Sequence, residues 1–337
     1  MSSDSLPPLP CRHIVVQGGG NAANALTCGA RLGLSSRLIS KIADDRQGRG
    51  LLEELEADGV DTSCIVVSKG GRSPFTYVIV DNQSKTRTCI FHPGHPCAVP
   101  DDLPQSRLLS ALDGAGLVYF DARFPEIALK VAVEATCKSI PILIDAERKR
   151  RGLDDILQLA SYAICSATFP QAWTEAPSVS AALVSMLLRL PKLKFVIVTL
   201  GENGCILVER REEESPALEE TDADSLLESL KQRRDDSTAT PTCFSSSCVK
   251  LRANGIGTVN GRLLLGTAER IPPHEVIDTT GAGDAFTGAV LYAICAGMPP
   301  EKMLPFAAQV AAACCRALGA RTGLPYRSDP RLAPFFC

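Results

Sequence analysis

Asp278-Thr279-Thr280-Gly281-Ala282-Gly283-Asp284-Ala285-Phe286 stands immediately before an apolar run of helical length, Thr287 to Gly297. Its two glycines lack the Cβ atoms that keep an anion off the backbone, so the free N–H groups at the helix start can converge on a phosphate. Asp284 closes the turn. A carboxylate beside an anion site is awkward for plain phosphate binding, yet phosphoryl transfer to an alcohol needs one as proton acceptor. Taken alone, the same four residues from Gly281 are also a tight turn with Asp284 as helix cap, the commonest use of Asp at such a position.

Working outward, short apolar runs alternate with helical stretches. His13 to Val16 is a β-branched run that ends on Gln17-Gly18-Gly19-Gly20-Asn21, and Ala22 to Leu32 has the composition of a helix. Ser36 to Ile42 reads as a strand and Gly50 to Asp58 as a helix; Leu117 to Phe120, Ile140 to Ile144, Tyr162 to Cys165 and Lys194 to Thr199 read as further strands. Strands apolar on both sides and alternating with helices predict a mostly parallel central sheet in a three-layer α/β/α sandwich. Ligands then bind beyond the carboxyl ends of the strands. Phe75 to Val80 and Arg87 to Phe91 break the rhythm as an antiparallel hairpin, and Ala307 to Leu318 is an alanine-rich helix. The segment from Glu209 to about Lys250 carries charge runs and a Ser/Thr-rich piece. Its composition predicts a mobile surface insertion in which Leu226, Leu227 and Leu230 give at most a solvated helical turn or two.

At 337 residues with a net charge of −3, the chain is long enough for a large α/β core and has no basic field for nucleic acid or an anionic membrane. No apolar stretch reaches membrane-span length, and Met1 to Pro10 has no signal-peptide pattern, so a soluble cytoplasmic protein with a small-molecule partner is expected. The fourteen cysteines form no CxxC pair and the four histidines share no ligand spacing with them, which predicts reduced thiols and no zinc.

Two more glycine turns follow strands. Gly18-Gly19-Gly20-Asn21-Ala22-Ala23-Asn24 opens a helix, and Asn24 offers both a donor and an acceptor. It is neither a Walker A loop nor a dinucleotide fingerprint. Thr199-Leu200-Gly201-Glu202-Asn203-Gly204 ends the strand that starts at Lys194. With the string from Asp278, and with Arg31-Leu32-Gly33, Ser40 to Gly48 and Gly319 to Pro325, these turns resemble the pfkB-type, ribokinase-like family of carbohydrate and nucleoside kinases from about Gln17 to Pro325. The resemblance implies a ribokinase-like kinase domain over residues 12–327, a small incomplete β lid at about 74–92, and tails at 1–11 and 328–337.

By the same resemblance, Asp284 is the catalytic base and the amides of Gly281, Ala282 and Gly283 form the anion hole. Gly18, Gly19, Gly20 and Asn24 contact the sugar or nucleoside, and Thr199, Gly201 and Gly204 lie on the ATP side. Mg2+ bridges the phosphates; K+ near Asp278 and Thr280 is a trait of several branches. Pairing into a homodimer through the lid stays open. In the family a first-strand Asp grips the sugar and lid strands follow it. Here Val16 runs straight into Gln17-Gly18, and Asp4 lies in a Pro-rich lead-in, which implies a pocket short of one wall. The Asn-x-x-Glu of the metal-phosphate shell is also absent at Cys165 to Phe169, while Asp145 and Arg148 are candidates for contact with substrate or phosphate, or for a surface ion pair. A catalytically weak or inactive relative that binds nucleotide or a protein partner is the competing reading.

Overall fold

A computed structural model describes residues 20–80, 87–211, 219–234 and 238–336. The first described element is helix α1 (Gly20–Arg31), followed by strand β1 (Ser40–Ala43), helix α2 (Arg46–Ala57) and strand β2 (Ile65–Ser68). β1 and β2 pair in parallel, and Leu38, Ile42, Leu55, Val60 and Ile65 close a small apolar cluster against Ala23 of α1. Asp45 caps α2: its carboxylate accepts from the Gly48 amide at 2.7 Å and from the Ser73 amide and hydroxyl at 2.8 and 2.7 Å. Much of the motif from Ser40 to Gly48 is therefore architecture, a cap that ties the start of α2 to the lid's base.

β3 (Phe75–Val80) and β4 (Arg87–His92) form the expected hairpin, with Phe75 opposite His92 and Val80 opposite Arg87. Helix α3 (Gln105–Ala111) then leads into an alternation of β5 (Val118–Phe120), α4 (Pro125–Cys137), β6 (Ile142–Ala146), α5 (Leu153–Leu157), β7 (Tyr162–Cys165), α6 (Phe169–Thr174), α7 (Val179–Arg189) and β8 (Phe195–Thr199). β5, β6, β7 and β8 are parallel neighbours. Beyond β8 the sheet continues antiparallel through β9 (Cys205–Arg210).

The next stretch departs from expectation. Instead of an unpacked insertion, the described residues carry β10 (Glu220–Asp222), α8 (Ala223–Gln232), β11 (Cys243–Ser245) and β12 (Val249–Ala253), all joined to the sheet through the long strand β13 (Gly257–Gly266). Leu227 and Leu230, one helical step apart, turn inward and are buried, and Val249, Leu251 and Ala253 alternate inward along β12. Asp222 caps α8 by accepting from the Ser225 amide at 3.0 Å. Two leucines in α8 and three apolar residues in β12 were enough, because the sheet edge offered a surface to bury them against.

After β13 come α9 (Ala282–Cys295) and α10 (Pro300–Cys314). The central strands alternate strictly. Ile142 and Ile144, Ala163 and Cys165, Val196 and Val198 face the layer of α4, α5, α7 and α8, while Leu143, Ile164, Phe195 and Ile197 face α1, α9 and α10. That period of two on a doubly covered sheet is the three-layer sandwich. No described helix is long and apolar enough to cross a membrane.

Candidate active site

The turn that opens α9 is shaped by what lies behind it. Gly281, its N-cap, has φ of 77°, and a Cβ there would sit 2.6 Å from the Cβ of Ala320. Only glycine fits on both counts. Buried Asp278 fastens the same loop: one carboxylate oxygen accepts from the Thr280 amide at 2.9 Å and hydroxyl at 2.7 Å, and the other from the Gly319 amide at 2.9 Å. Asp278 and Thr280, the residues expected beside a monovalent cation, are thus engaged with each other and with the closing segment. The Ala282 amide donates at 3.3 Å to the Thr279 carbonyl, while the amides of Gly281 and Gly283 find no acceptor among the described residues. Of three expected anion-hole donors, two stand open, and the space beside Gly283 is clear to 4 Å.

Asp284 occupies the first turn of α9 and accepts a hydrogen bond of 2.8 Å from the side-chain amide of Asn24. The structure therefore brings together two residues 260 positions apart. Gly288 makes this approach feasible: one turn further along α9, a Cβ would come within 2.5 Å of the Ala25 carbonyl and 2.6 Å of the Cys28 Cβ in α1. At the far end of α1, Arg31 bonds Asp58 at 2.8 Å and the carbonyls of Arg321 and Leu324 at 2.8 and 3.2 Å. Arg31 and the closing segment are clamps that set where α1 lies.

Two carboxylates that no glycine motif announced complete the site. Asp145 is the penultimate residue of β6, and burial, followed by the negative charges of Asp284, Glu147 and Asp121, pushes its carboxyl up to about 8. Asp121 follows β5; burial raises it, the Arg123 guanidinium 3.9 Å away opposes that rise, and the Ala22 amide in the first turn of α1 faces it. The Tyr119 hydroxyl lies buried beside Asp145 and is pushed far up by desolvation and by these same charges. Tyr119 and Asp121 went unread in the sequence, although an Asp directly after an apolar strand was the available signal. Arg148, by contrast, is an exposed partner of Glu147 at 3.1 Å.

On the other expected flank, Thr199 ends β8 and its hydroxyl donates to the Cys165 carbonyl at 3.3 Å. Gly201 and Gly204 bracket the following turn with φ of 60° and 87°. A Cβ on Gly204 would collide with the Gly266 carbonyl at 2.0 Å, whereas one on Gly201 meets nothing within 4 Å. Gly20 starts α1 with open space around it; Gly18 and Gly19, and the stretch expected as a strand before them, lie outside the described residues. Along the carboxyl edge the order is Asp121, Asp145, Ser166, Thr199, strand by strand, with the starts of α1 and α9 close to Asp121 and Asp145. Beside Asp121, a cleft of about 490 Å³ opens between the β3–β4 hairpin and the β5–α4 connection, with Ala122 and Arg123 on its floor and Phe91 on its lid side. The Arg123 guanidinium lies over the Phe91 ring at 5.4 Å.

A family model described as pfkB family carbohydrate kinase matches residues 5–222 and 265–327, leaving out α8, β11, β12 and most of β13. Mouse ribokinase is 21% identical over 330 residues, covering 94% of this chain and 84% of its own. Among solved structures, a putative ribokinase from Agrobacterium tumefaciens superposes with a TM-score of 0.69 at 23% identity, covering 100% of this chain and 91% of that one. A putative Ribokinase II from E. coli in complex with ATP and Mg2+ superposes with a TM-score of 0.68 at 17% identity, covering 98% and 94%. These neighbours share the ribokinase-like α/β fold. With the family model spanning most of its length, the chain belongs to the pfkB family of carbohydrate kinases.

Proposed function

We propose that this kinase transfers the γ-phosphoryl group of ATP to a hydroxyl of a sugar or nucleoside-like small molecule, with Asp284 as general base. The observation that carries the reading is the start of α9, where a carboxylate oriented by Asn24 stands beside two open amides. Asp284 takes the hydroxyl proton as the phosphoryl group moves, and the Gly281 and Gly283 N–H groups meet the charge on its oxygens. Asp121 is placed to accept from a second hydroxyl and so hold the acceptor in line. Burial and the charge of Asp284 favour the protonated form of Asp145, which spares the site a third full negative charge.

In this reading ATP takes the open edge from Thr199 and Gly201 to Gly283; the E. coli neighbour was solved in complex with ATP and Mg2+. Among the described residues no cluster of His, Cys, Asp or Glu forms a metal cage. Mg2+ brought in with the nucleotide would supply charge neutralisation at the transferred group. The Asp278 carboxylate, already accepting three hydrogen bonds, is given no ion in this reading. The twelve described cysteines are all free, in keeping with work in the cytoplasm. The hairpin exposes Tyr77, Ile79 and Ile90, which supports pairing of two copies through the lid.

The test is ATP turnover against a panel of sugars and nucleosides, with Asp284→Asn in parallel. Loss of about two to four orders of magnitude in rate with an unchanged circular dichroism spectrum is expected. Equal rates in the two proteins would remove Asp284 from the base's role.

A further inference from the structure

The cleft under the hairpin is lined by five cationic side chains, Lys41, Arg72, Arg123, Arg150 and Arg151, and by no acidic one. In a chain with a net charge of −3 this is a local reversal of sign. Three of the five are answered by carboxylates outside the cleft. The Lys41 ammonium is held by Asp102 at 2.8 Å and the Cys97 carbonyl at 3.2 Å, Arg150 by Glu147 at 3.5 Å, and Arg123 more loosely by Asp121 at 3.9 Å. The side chains of Arg72 and Arg151 have no acceptor among the described residues.

Their backbones are nevertheless placed. Arg72 exchanges two main-chain hydrogen bonds with His95, at 2.8 and 2.9 Å, so the base of the hairpin holds it at the rim. Arg151 sits on the turn after β6, next to Gly152, whose φ of 79° and contact with Pro125 fix that turn against the start of α4. The two arginines therefore approach the cleft from opposite walls, lid and body. The floor at Ala122 and Arg123 continues directly to Asp121, just outside the cleft, so the cleft leads from guanidinium groups at its lid side towards a proton acceptor beyond its floor.

We infer that the acceptor of this kinase carries an anionic group, a phosphate ester or a carboxylate, which Arg72 and Arg151 bind at the lid side while its reacting hydroxyl faces Asp284. The inference rests on the kinase reading for the second half of that statement and on the cleft alone for the first. Arg72 and Arg151 are exposed, so a neutral sugar gains nothing from them, whereas a phosphate or carboxylate accepts from both in the paired geometry that arginine favours. The charge also draws such a molecule in at low ionic strength.

Calorimetric titration of the full chain decides it, using ligand pairs that differ in charge: ribose against ribose esterified with phosphate at its terminal carbon, and sorbitol against gluconate. At least one anionic member should bind about tenfold or more tighter than its neutral partner, and Arg72→Gln with Arg151→Gln should erase that advantage. The phosphate and carboxylate arms tell the two sources apart. Equal affinities within both pairs, no binding by any of the four, or an advantage that survives the double substitution would each overturn the inference. Asp284→Asn separates this result from the kinase reading. If it abolishes turnover while neutral and anionic sugars bind alike, only the anion site falls. If the anionic preference is intact but Asp284→Asn leaves turnover unchanged, only the role of Asp284 in the reaction falls.

Discussion

The turn into α9 and the turn between β8 and β9 look alike as strings, each with two glycines close together, yet they spend their amides differently. Between the strands the turn closes on itself: Leu200 donates to Gly204 at 2.7 Å, Gly204 to Gly201 at 3.0 Å, and Asn203 to Leu200 at 3.2 Å. A ladder resumes at Cys205, while the amides of Gly201 and Glu202 find no acceptor among the described residues. Before α9 the helix leaves its first N–H groups without intrahelical carbonyls, and those of Gly281 and Gly283 remain available. In each turn one glycine answers to packing, Gly204 against Gly266 and Gly281 against Ala320, and one faces open space, Gly201 and Gly283. Glycine spacing marks both places and both keep open amides, but only at the helix start do they stand beside a carboxylate held in place by Asn24.

Breaking the packing glycines should have the largest effect. Gly281→Ala and Gly204→Ala each combine a positive φ with a backbone collision, and each should cost on the order of 2–4 kcal/mol, read as a lower urea midpoint. Gly283→Ala sharpens the contrast. Its Cβ meets no protein atom, so the helix should gain about 0.5–1 kcal/mol, while turnover falls about ten- to a hundredfold because the methyl group crowds the phosphoryl oxygens. A variant that is more stable and equally active would mean that no anion sits there.

Asp145 supplies a titration. Its folded-state carboxyl, near 8, lies above the unfolded value, so the unfolded chain releases a proton first and stability falls as pH rises from about 4 towards 8. Asp145→Asn should remove that slope and be more stable than the wild type by on the order of 1–2 kcal/mol near pH 8, checked by melting temperature across pH; parallel profiles would contradict the buried cluster. The smallest effect is expected at Gly201→Ala, about 1 kcal/mol from its left-handed backbone alone, with the KM for ATP raised rather than kcat lowered.

Local signals carried most of what could be read from the chain. Strands such as Tyr162–Cys165 and the hairpin Phe75–Val80 with Arg87–His92 follow from apolar runs and turns, and the site around Asp284 follows from glycines before a helix. Asp121 and Tyr119 were hidden because their meaning comes from the side-by-side placement of β5 and β6, which no local spacing encodes. Leu227 and Leu230 were visible but outweighed by flanking charge; what they needed was a neighbouring surface, which β12 and β13 supply from further down the chain. Likewise, Asn24 was read as a ligand contact, and its bond to Asp284 appears only once α1 and α9 are packed together.

The contact between Asn24 and Asp284 bears on how the protein is made. Because it joins the beginning of the described fold to its last third, a nascent chain leaving the ribosome can complete the parallel strands and their helices long before Asn24 can meet Asp284. α1 must wait, with its apolar face against α9 uncovered, until nearly the whole polypeptide has been synthesised. Premature termination anywhere before α9 would then yield a partly folded, inert body with a sticky flank, a natural client for chaperones.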